Sequence, residues 1–304
     1  MLSKQKFTLL IPTKNRLEQL KYTLLKLEAL LERDDIACIV CDDGSNDGTF
    51  EYIVKQYPKI EIIKNKVSKG IHYSRNLLLN KVRTPYAISI DDDAHFITSA
   101  IPEIVENYFL SNEKVGLLSF RAYWNQEAPI STISKDKAIS VKGFGAVGFA
   151  IRMSAWQDIP NFPAWFVFYG EEDFASFQLF KKGWEVHYVP EILVHHRVDL
   201  KARKKEKDYR LRLRRSLRSG WYLYLMFYPW QEIPRRFAYT LWIQIKNKAL
   251  KGDWKATLAV VQAMCDVIIN LPKLIKNSNR LSLKEFADYN KLPDTKLYWT
   301  PEEL

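Results

Sequence analysis

The chain has 304 residues, 47% of them hydrophobic, which suffices for one large α/β domain with an appendage or for two domains. The formal net charge is +11, but residues 197–218 hold eleven lysines and arginines against three acidic residues, a net charge of +8. The remaining residues therefore carry only +3. This distribution argues against a general nucleic acid-coating surface, so no nucleic acid partner is expected, and it indicates one local anionic partner.

Three features of the sequence bear on the cellular compartment. The first residues lack the apolar length and the small-residue cleavage site of a signal peptide. The longest uncharged apolar and aromatic run, Trp221 to Trp230, is too short to span a bilayer. Cys38 and Cys41 lie inside an apolar strand pattern, which favours core residues over a zinc or redox pair and suits a reducing compartment. We therefore expect a cytoplasmic protein.

Residues 1–95 alternate predicted strands and helices. Short β-branched runs between turn residues predict the strands, and apolar residues at helical spacing predict the helices. The predicted strands are Phe7–Ile11, Ile36–Cys41, Ile60–Ile63 and Tyr86–Ile90, and the predicted helices are 15–31, 49–57 and 70–82. This alternation predicts an α/β fold in which helices flank a mostly parallel sheet. Ligands of such sheets bind beyond the carboxyl ends of the strands.

The rest of the chain divides into a less regular part and a helical part. Residues 96–200 predict strands at 115–120, 138–141, 147–152, 184–188 and 192–195, an aromatic loop at 165–170 and a helix at 171–182. Residues 201–304 predict a basic helix to about residue 219, the aromatic run, and helices around 233–248 and 255–269. We therefore expect one domain at 1–200 and a basic, aromatic, helical C-terminal extension at 201–304.

Three polar loops follow strands of the first 95 residues: residues 12–16, Asp42–Ser45 and Asp91–Asp93. Three consecutive carboxylates at a strand end repel one another and are costly to desolvate. A divalent cation with an anionic ligand would explain them, and a solvated acidic turn is the alternative. The loops should converge on one crevice at the carboxyl edge of the sheet.

Five sequence blocks occur in a fixed order: IPTKNR at 11–16, CDDGSNDGT at 41–49, KGIHYSRN at 69–76, IDDDA at 90–94 and GEED at 170–173. One such block is a weak signal, but five in register over about the first 200 residues are specific. They resemble the inverting glycosyltransferases of family 2, which have the GT-A fold. The resemblance implies a Rossmann-like nucleotide-sugar half at 1–95 and an acceptor and catalytic half at 96–200. It also implies sugar transfer from a UDP, dTDP or GDP donor to a glycan or lipid-linked acceptor.

The resemblance also assigns residues to the nucleoside end of the donor. Thr13 and the backbone near Pro12 match the segment that lines the nucleoside pocket, and Asn15 and Arg16 belong to the same block. Asp43 matches the acid that accepts a hydrogen bond from the base. A uracil or thymine imide fits such an acid, and a guanine could also donate to it, so the base stays open.

The diphosphate and the cation are assigned in the same way. Arg75 matches an arginine near the base and the diphosphate. Asp93 matches the metal ligand of the family's D-x-D motif. Asp91 matches its first acid, which contacts the ribose and can reach the metal through water. Asp92, between them, is expected to support this donor-binding loop. The cation would be Mn²⁺ or Mg²⁺.

A histidine is a further candidate ligand for the cation. His195 and His196 follow the last predicted strand of the domain, and some GT-A enzymes have a metal-ligating histidine near this point. An imidazole would suit Mn²⁺ better than Mg²⁺. The alternative is a pair of polar residues that leave a strand, one packed and one solvated. We expect His195 to be the ligand, with His196 as the other choice.

An inverting displacement needs a base for the acceptor hydroxyl, since a hydroxyl is a poor nucleophile. The resemblance assigns this role to Asp173, and Glu172 is the second candidate. The alternative for these acids is an ordinary helix N-terminus, where the helix dipole favours negative charge.

The C-terminal extension lacks the membrane spans and the Q-x-x-R-W motif of the family's processive polysaccharide synthases. Basic residues beside the run Trp221 to Trp230 are typical of an interfacial element on an anionic leaflet. We therefore expect residues 201–230 to contact the inner face of a membrane, as in cell-surface polysaccharide assembly. The alternative is a helix that packs on the catalytic domain and leaves a basic face in solvent.

Two other functions compete with the glycosyltransferase. A non-catalytic module with a degenerate GT-A domain could dock on a membrane or nucleic acid through its basic helices, although the acids at 91, 93 and 173 and Arg75 are intact. A nucleotidyltransferase shares the fold type and the metal acids. That function lacks support, because no glycine-rich, lysine-bearing loop follows the first strand.

Overall fold

The computed structural model describes residues 5–199 and 208–301. Within them, nine strands form one sheet in the order β3-β2-β1-β4-β8-β6-β9-β5, and β7 pairs with β9. The strands are β1 (Phe7–Thr13), β2 (Ile36–Asp42), β3 (Glu61–Lys64), β4 (Tyr86–Ile90), β5 (Ala94–Phe96), β6 (Val115–Trp124), β7 (Ile139–Ser140), β8 (Gly148–Arg152) and β9 (Glu185–His196).

The described residues also form eleven α-helices. In the first 199 residues these are α1 (Leu17–Lys26), α2 (Glu28–Leu31), α3 (Thr49–Gln56), α4 (Ile71–Lys81), α5 (Ile101–Ser111), α6 (Met153–Gln157) and α7 (Glu171–Lys181). The C-terminal helices are α8 (Tyr209–Phe227), α9 (Ile233–Asn247), α10 (Trp254–Lys276) and α11 (Leu283–Lys291). Two short 3-10 turns lie at Ala164–Phe166 and Ala249–Lys251.

The α/β fold class is confirmed. Strands β3, β2, β1 and β4 pair in parallel, as their helical crossovers require. Beyond β4 the sheet is mixed, since β8 runs antiparallel to both β4 and β6 while β9 runs parallel to β6. The mostly parallel sheet has helices on its faces and continues into C-terminal helices, as the sequence predicts.

Strand register brings distant polar residues to one edge. Thr13 pairs with Asp42 at the carboxyl ends of β1 and β2. The last residue of β4, Ile90, pairs with Gly148, so the acids at 91–93 leave the sheet beside the start of β8. In the antiparallel β5–β9 pair, Ala94 lies opposite His196.

The helices at Ile101–Ser111, Met153–Gln157 and Leu283–Lys291 were not predicted, and other elements differ from their predicted form. The predicted helix at 15–31 breaks at Leu27 into α1 and α2. The two short strands predicted at 184–188 and 192–195 are one strand, β9. Pro190 within β9 can donate no ladder hydrogen bond, and the pairing with β6 shifts register there, which is where a strand tolerates proline. The short strand β5 carries no periodicity that predicts it.

A separate apolar core joins the C-terminal helices to α7. Phe174 and Phe177 of α7 pack with residues of α8, α10 and α11, and the Phe177 ring stacks on Phe227 at 4.9 Å between centroids. The bidentate ion pair of Arg214 with Asp266 ties α8 to α10 at 2.6 and 2.7 Å. The extension therefore packs on the catalytic half, and where a domain boundary falls stays a prediction.

The expected membrane contact of the run at 221–230 is not supported. Trp221, Tyr222, Met226 and Phe227 are at most 1% exposed, because they form the core between α8, α7 and α10. The alternative of a packed helix fits these residues. The part of the expected surface at 201–207 lies outside the described residues.

Candidate active site

A cavity of about 810 Å³ opens at the carboxyl edge of the parallel strands. Its wall includes all three polar loops, through Pro12, Thr13 and Arg16, through Asp43, and through the acids at 91–93. The chain segments before and within α4 and α7 also contribute, among them Gly70, Arg75, Glu171 and Glu172. We call this space the central cavity. The loops therefore converge as the strand topology predicts.

The three consecutive aspartates occupy different environments. Asp92 is buried and accepts hydrogen bonds from Thr13 Oγ1 at 2.7 Å and from Arg16 Nη1 at 3.0 Å. Thr23 donates to the Asp92 backbone carbonyl at 2.7 Å. Asp92 thus ties β1 and α1 to the loop, which agrees with a supporting role. Arg16 also donates to Asp93 at 2.6 Å, so one guanidinium holds both acids.

Asp91, Asp93 and His196 form a group that could hold a metal ion. One ligand atom from each lies within 4.8 Å of the other two. His196 Nε2 lies 3.0 Å from Asp93 Oδ1, and His196 Nδ1 is buried without a hydrogen-bond partner among the described residues. Burial opposes ionisation of Asp93, but His196 and Arg16 outweigh it and hold the Asp93 pKa below its ordinary value. Two carboxylates and an imidazole with an unused nitrogen fit a divalent cation.

His195 lies elsewhere, which corrects the expected choice of histidine. Its Nε2 lies 2.8 Å from the Asn125 carbonyl oxygen, and its ring packs beside His95 at 5.0 Å and Tyr123 at 5.6 Å. Successive side chains of a strand point to opposite faces of the sheet. Since His196 faces the acids, His195 must face away from them.

Arg75 links the acidic loop to α7. Its guanidinium donates to Asp91 Oδ1 and to Glu171 Oε1, both at 2.8 Å, and to the Ala146 carbonyl at 3.1 Å. His72 Nε2 lies 2.8 Å from the second oxygen of Glu171. Burial opposes ionisation of Glu171, but His72 and Arg75 outweigh it and lower the Glu171 pKa. Arg75 thus faces the cavity as a positioning group between two acids.

Glu172 lines the central cavity, whereas Asp173 does not reach the cavity wall among the described residues. Glu172 Oε1 accepts a hydrogen bond from the Ala146 amide at 2.6 Å. Burial, reinforced by the charge of Glu171, raises the pKa of Glu172 to about 8. A carboxylate with such a pKa is a stronger proton acceptor than an ordinary glutamate.

Asp173 faces the C-terminal tail. A Cβ at Gly143 would lie 3.9 Å from its Oδ1 and 3.8 Å from Thr295 Oγ1. The Asp173 side chain is exposed. Desolvation by nearby protein, with the charges of Glu171 and Asp294, raises the Asp173 pKa to about 6. The structure therefore favours Glu172, the second candidate, as the acid that an acceptor in the cavity could touch.

Asp43 orders the loop that follows β3. Its oxygens accept four hydrogen bonds, from Asn65, from Ser68 Oγ and from the amides of Lys69 and Gly70, at 2.6–2.9 Å. Burial opposes its charge, but these donors outweigh burial and lower the Asp43 pKa. A carboxylate has about four acceptor positions, so these bonds use its ordinary capacity. Asp43 lines the cavity, and its contact with a base stays a prediction.

Asn15 acts between loops. The backbone amide of Asn15 donates to Ser45 Oγ at 2.8 Å, and its side-chain Oδ1 accepts a hydrogen bond from the backbone amide of Asn46 at 2.9 Å. Its backbone φ of 49° is a conformation that asparagine adopts more readily than most residues. Asn15 therefore joins the first two polar loops, and among the described residues it is not part of the cavity wall.

A strained loop precedes α7 and forms another side of the cavity. Val167 and Tyr169 have φ values of 69° and 66°, and a β-branched residue rarely adopts a positive φ. Arg218 donates to the Phe166 carbonyl, and Ser219 Oγ donates to the Phe168 carbonyl at 3.2 Å, so α8 holds this loop. Val167, Phe168 and Tyr169 all line the cavity. Backbone strain of this kind concentrates at functional sites.

Among the residues of the cavity wall that sequence reasoning missed are Trp124, Arg215, Leu297 and Tyr298. Arg215 comes from α8, and the other three meet where the C-terminal tail crosses β6. Trp299 is buried beside Tyr123, and the Trp124 and Tyr298 rings lie 4.9 Å apart. The positive charge around residue 215 indicated an anionic partner. Because this segment is distant in sequence from the acidic loops, local patterns could not assign Arg215 to the same cavity.

Comparison with known families identifies the first half of the chain. The model of the family described as "Glycosyl transferase family 2" matches residues 8–145. The chain is also 33% identical over 91 residues to UDP-Glc:alpha-D-GlcNAc-diphosphoundecaprenol beta-1,3-glucosyltransferase WfaP of Escherichia coli. That match covers 30% of this chain and 35% of the relative, so the chain matches about a third of the relative's length.

Solved structures show the same fold at low sequence identity. One is the mannosyltransferase PcManGT from Pyrobaculum calidifontis with GDP-Man and Mn²⁺, which has a TM-score of 0.52 and 14% identity over 94% of this chain and 79% of that one. GalNAc-T7 with UDP, GalNAc and Mn²⁺ has a TM-score of 0.57 and 13% identity over 88% and 57%. S. aureus TarS 1-349 with UDP-GlcNAc has a TM-score of 0.51 and 15% identity over 72% and 67%. The family match therefore places a glycosyltransferase family 2 segment at residues 8–145, and the similarity to the solved structures shows that the chain has the GT-A fold.

Proposed function

We propose that this protein is a metal-dependent inverting glycosyltransferase, which transfers a sugar from a nucleoside-diphosphate sugar to a glycan or lipid-linked acceptor. The observation that carries the proposal is that Asp91, Asp93, His196 and Glu172 all line one cavity. The reaction must stabilise a leaving diphosphate and remove a proton from the acceptor. The first three residues suit the diphosphate with its cation, and Glu172 suits the proton.

Asp91, Asp93 and His196 would hold the divalent cation. A bound cation neutralises the negative charge that develops on a leaving diphosphate. The imidazole favours Mn²⁺ over Mg²⁺, and Mn²⁺ is present in the structures of PcManGT and GalNAc-T7. The protein orients the carboxylates in advance, since Arg75 fixes Asp91 and Arg16 fixes Asp93.

The nucleoside of the donor would lie against the wall that contains Pro12, Thr13 and Asp43. Asp43 keeps the Ser68–Gly70 loop in place. A nucleobase that donates a hydrogen bond to Asp43 would share an oxygen with one of the groups that now donate to it, or replace that group. A UDP, dTDP or GDP sugar fits this proposal. The related structures hold GDP-Man and UDP-GlcNAc, so their donors differ in the base.

Glu172 would act as the general base. The acceptor hydroxyl oxygen forms a bond to the anomeric carbon while the bond from that carbon to the diphosphate breaks, and Glu172 takes the hydroxyl proton. The displacement inverts the configuration at the anomeric carbon. The Ala146 amide fixes one oxygen of Glu172, and its high pKa favours proton uptake. Asp173, the first choice from the resemblance, lies outside the cavity wall in the described structure.

The printed name of the E. coli relative gives it a diphosphoundecaprenol-linked acceptor. By analogy we propose a lipid-linked acceptor for this protein, used in cell-surface polysaccharide assembly. Such an acceptor lies at a membrane, so a cytoplasmic enzyme would work as a peripheral protein on its inner face.

A donor panel tests the proposed function. UDP-, dTDP- and GDP-sugars are added to the protein with and without Mn²⁺, and Tm is measured. A ligand that binds the folded state raises Tm by mass action, so one class of donor should do so in a Mn²⁺-dependent manner. Asp93→Ala should remove the Mn²⁺-dependent part of the shift. If no nucleotide sugar raises Tm with Mn²⁺ present, the proposal fails and a non-catalytic docking module is favoured.

A further inference from the structure

Two C-terminal helices present large apolar side chains to solvent. Eight such side chains, on α9, the 3-10 turn after it and α10, are 51–73% exposed. They are Tyr239, Trp242, Leu250, Trp254, Val261, Ile268, Ile269 and Ile275. We call these eight residues the α9–α10 face. Solvent-exposed clusters of this kind mark sites of interaction with a protein or a membrane.

Helical spacing places these side chains on the outer sides of their helices. On α9, Tyr239 and Trp242 are three residues apart. On α10, Trp254, Val261, Ile268 and Ile275 recur every seven residues, which returns to nearly the same face of a helix. Leu250 and Trp254 lie at the turn between the two helices, where the two stripes meet along the chain.

The opposite side of α10 is part of the protein core. Ala256, Ala259 and Ala263 are fully buried, and their small side chains let α10 approach α8 closely. By length and composition α10 is the one helix among the described residues that could span a membrane, but a third of its apolar window (33%) is buried in the protein. Crossing a bilayer would expose this core. A position along the surface of a membrane keeps it intact.

Positively charged residues near the α9–α10 face would attract an anionic surface. Six basic residues of α9, α10 and the turn between them are exposed: Arg235, Lys246, Lys251, Lys255, Lys273 and Lys276. Three acidic residues lie in the same stretch, and each has a local partner. Asp266 is bound by Arg214, Asp253 accepts from the Ala256 amide at the start of α10, and Glu232 pairs with Arg236.

We propose that the α9–α10 face binds an anionic phospholipid bilayer, with both helices in the plane of the interface. Exposed tryptophans and branched aliphatic side chains beside lysines are the composition of interfacial helices, and anionic lipids attract the lysines. This inference rests on the proposed function, because it supplies the membrane contact that a lipid-linked acceptor requires. It moves that contact from the largely buried run at 221–230 to the two helices that follow.

Vesicle co-sedimentation of the full chain tests the inference without any sugar transfer. Vesicles contain phosphatidylcholine alone or phosphatidylcholine with phosphatidylglycerol. The protein should sediment with the anionic vesicles, weakly or not at all with the neutral ones, and less as salt concentration rises. No donor or acceptor is present, so a failure here is distinct from a failure of the glycosyltransferase proposal, which the donor panel measures.

Matched variants separate the face from the overall positive charge of the chain. Trp242→Ser, Trp254→Ser and Ile268→Ser together leave the charge unchanged and should reduce partitioning to anionic vesicles on the order of a hundredfold. Lys251→Glu with Lys255→Glu should reduce it on the order of tenfold. The controls are Leu25→Ser with Leu110→Ser, two exposed apolar residues of α1 and α5, and Lys55→Glu with Lys59→Glu. Both control pairs should sediment like the unmodified protein.

Three results would overturn the inference. The first is an absence of sedimentation with anionic vesicles. The second is sedimentation that the face variants and the control variants change equally, which would assign binding to the general charge. The third is self-association of the protein in size-exclusion chromatography with light scattering that the serine variant abolishes. That result would show that a second copy of the chain covers the face.

Discussion

Three adjacent acids at the start of α7 have three different surroundings. Successive residues of an α-helix point about 100° apart, so Glu171, Glu172 and Asp173 cannot share one environment. Glu171 contacts Arg75 and His72, Glu172 faces the central cavity, and Asp173 faces the C-terminal tail. The resemblance assigns the proposed base to Asp173 or Glu172, and the side-chain directions favour Glu172 in our proposal.

Replacement of Glu172 should abolish the proposed reaction with little effect on the donor. Glu172→Gln keeps the hydrogen bond from the Ala146 amide but accepts no proton, so kcat should fall by ~100 to 10,000-fold. Asp173→Asn should cost much less. Steady-state kinetics gives kcat, and calorimetry gives the donor Kd. Near-normal kcat in Glu172→Gln with a large loss in Asp173→Asn would return the base to Asp173.

The pKa of Glu172 predicts how its effect depends on pH. Its pKa is raised in the fold from 4.5 to about 8, so its contribution to stability is complete below pH 4.5 and is lost as pH rises from 4.5 through about 8. Glu172→Gln should therefore match the Tm of the unmodified protein near pH ~4 and exceed it at pH ~9. Thermal unfolding at both pH values measures this. An equal Tm difference at both values would contradict the raised pKa.

The choice between the two histidines predicts different metal affinities. His196 faces Asp93, and its Nδ1 has no hydrogen-bond partner in the part of the chain that the structure describes, whereas His195 is engaged with the Asn125 carbonyl. His196→Ala should weaken Mn²⁺ binding in the presence of nucleotide, while His195→Ala should leave it nearly unchanged. Calorimetric titration with Mn²⁺ measures both. A larger loss in His195→Ala would restore the histidine that the sequence favoured.

At the scale of elements, the hydrophobic periodicity and the turn residues were sufficient to predict the strands and helices of the parallel half of the sheet. The strands at 7–13, 36–42 and 86–90 and the crossover helices have strong local signals, and their topology alone brings the polar loops together. Strand β5 has only three residues, and the bend at Pro190 depends on pairing with β6. Those features depend on neighbours distant in sequence, so local pattern cannot predict them.

The aromatic run of α8 shows the same limit. Basic and aromatic residues side by side predicted a membrane contact, yet Trp221, Tyr222 and Phe227 are core, and the exposed α9–α10 face comes from later elements. Composition identifies an apolar segment but not the partner that buries it. The positions of exposed residues within each helix, which need the fold, distinguish the two cases.

Replacement of Trp221 should measure how much the core between α8 and its neighbours contributes to the free energy of unfolding. Its ring packs at 4.7 Å from Phe237, and its Nε1 donates to Thr240 at 2.9 Å. Trp221→Ala should lower the free energy of unfolding by about 3–5 kcal/mol. Trp230→Ala, where the ring is 62% exposed under Arg280, should cost less than about 1 kcal/mol. Urea unfolding measures the free energy of unfolding of both variants, and similar losses in the two would contradict the burial of Trp221.

At the scale of the whole molecule, the site joins parts that the sequence keeps far apart. The family match covers residues 8–145, whereas Glu172, His196, Arg215 and Tyr298 come from later elements. The sequence predicted the donor side of the cavity because its loops follow regular strands. The side formed by the extension could not be predicted, because it depends on how α8 and the tail pack against α7 and β6.

A chain that ends after residue 199 should therefore fail to fold as an independent unit. Phe166, Phe174 and Phe177 would lose the C-terminal helices that cover them, and the strained loop at 167–170 would lose its bonds to α8. Exposure of three phenylalanine side chains costs several kcal/mol at about 1.5–3 kcal/mol each, a large share of the stability of an ordinary domain. The truncated chain should bind a hydrophobic dye, aggregate and lack a cooperative thermal transition.

The full chain is the control. Cooperative unfolding of the truncated chain near the Tm of the full chain would show instead that residues 1–199 are a self-sufficient domain, with the extension as an appendage.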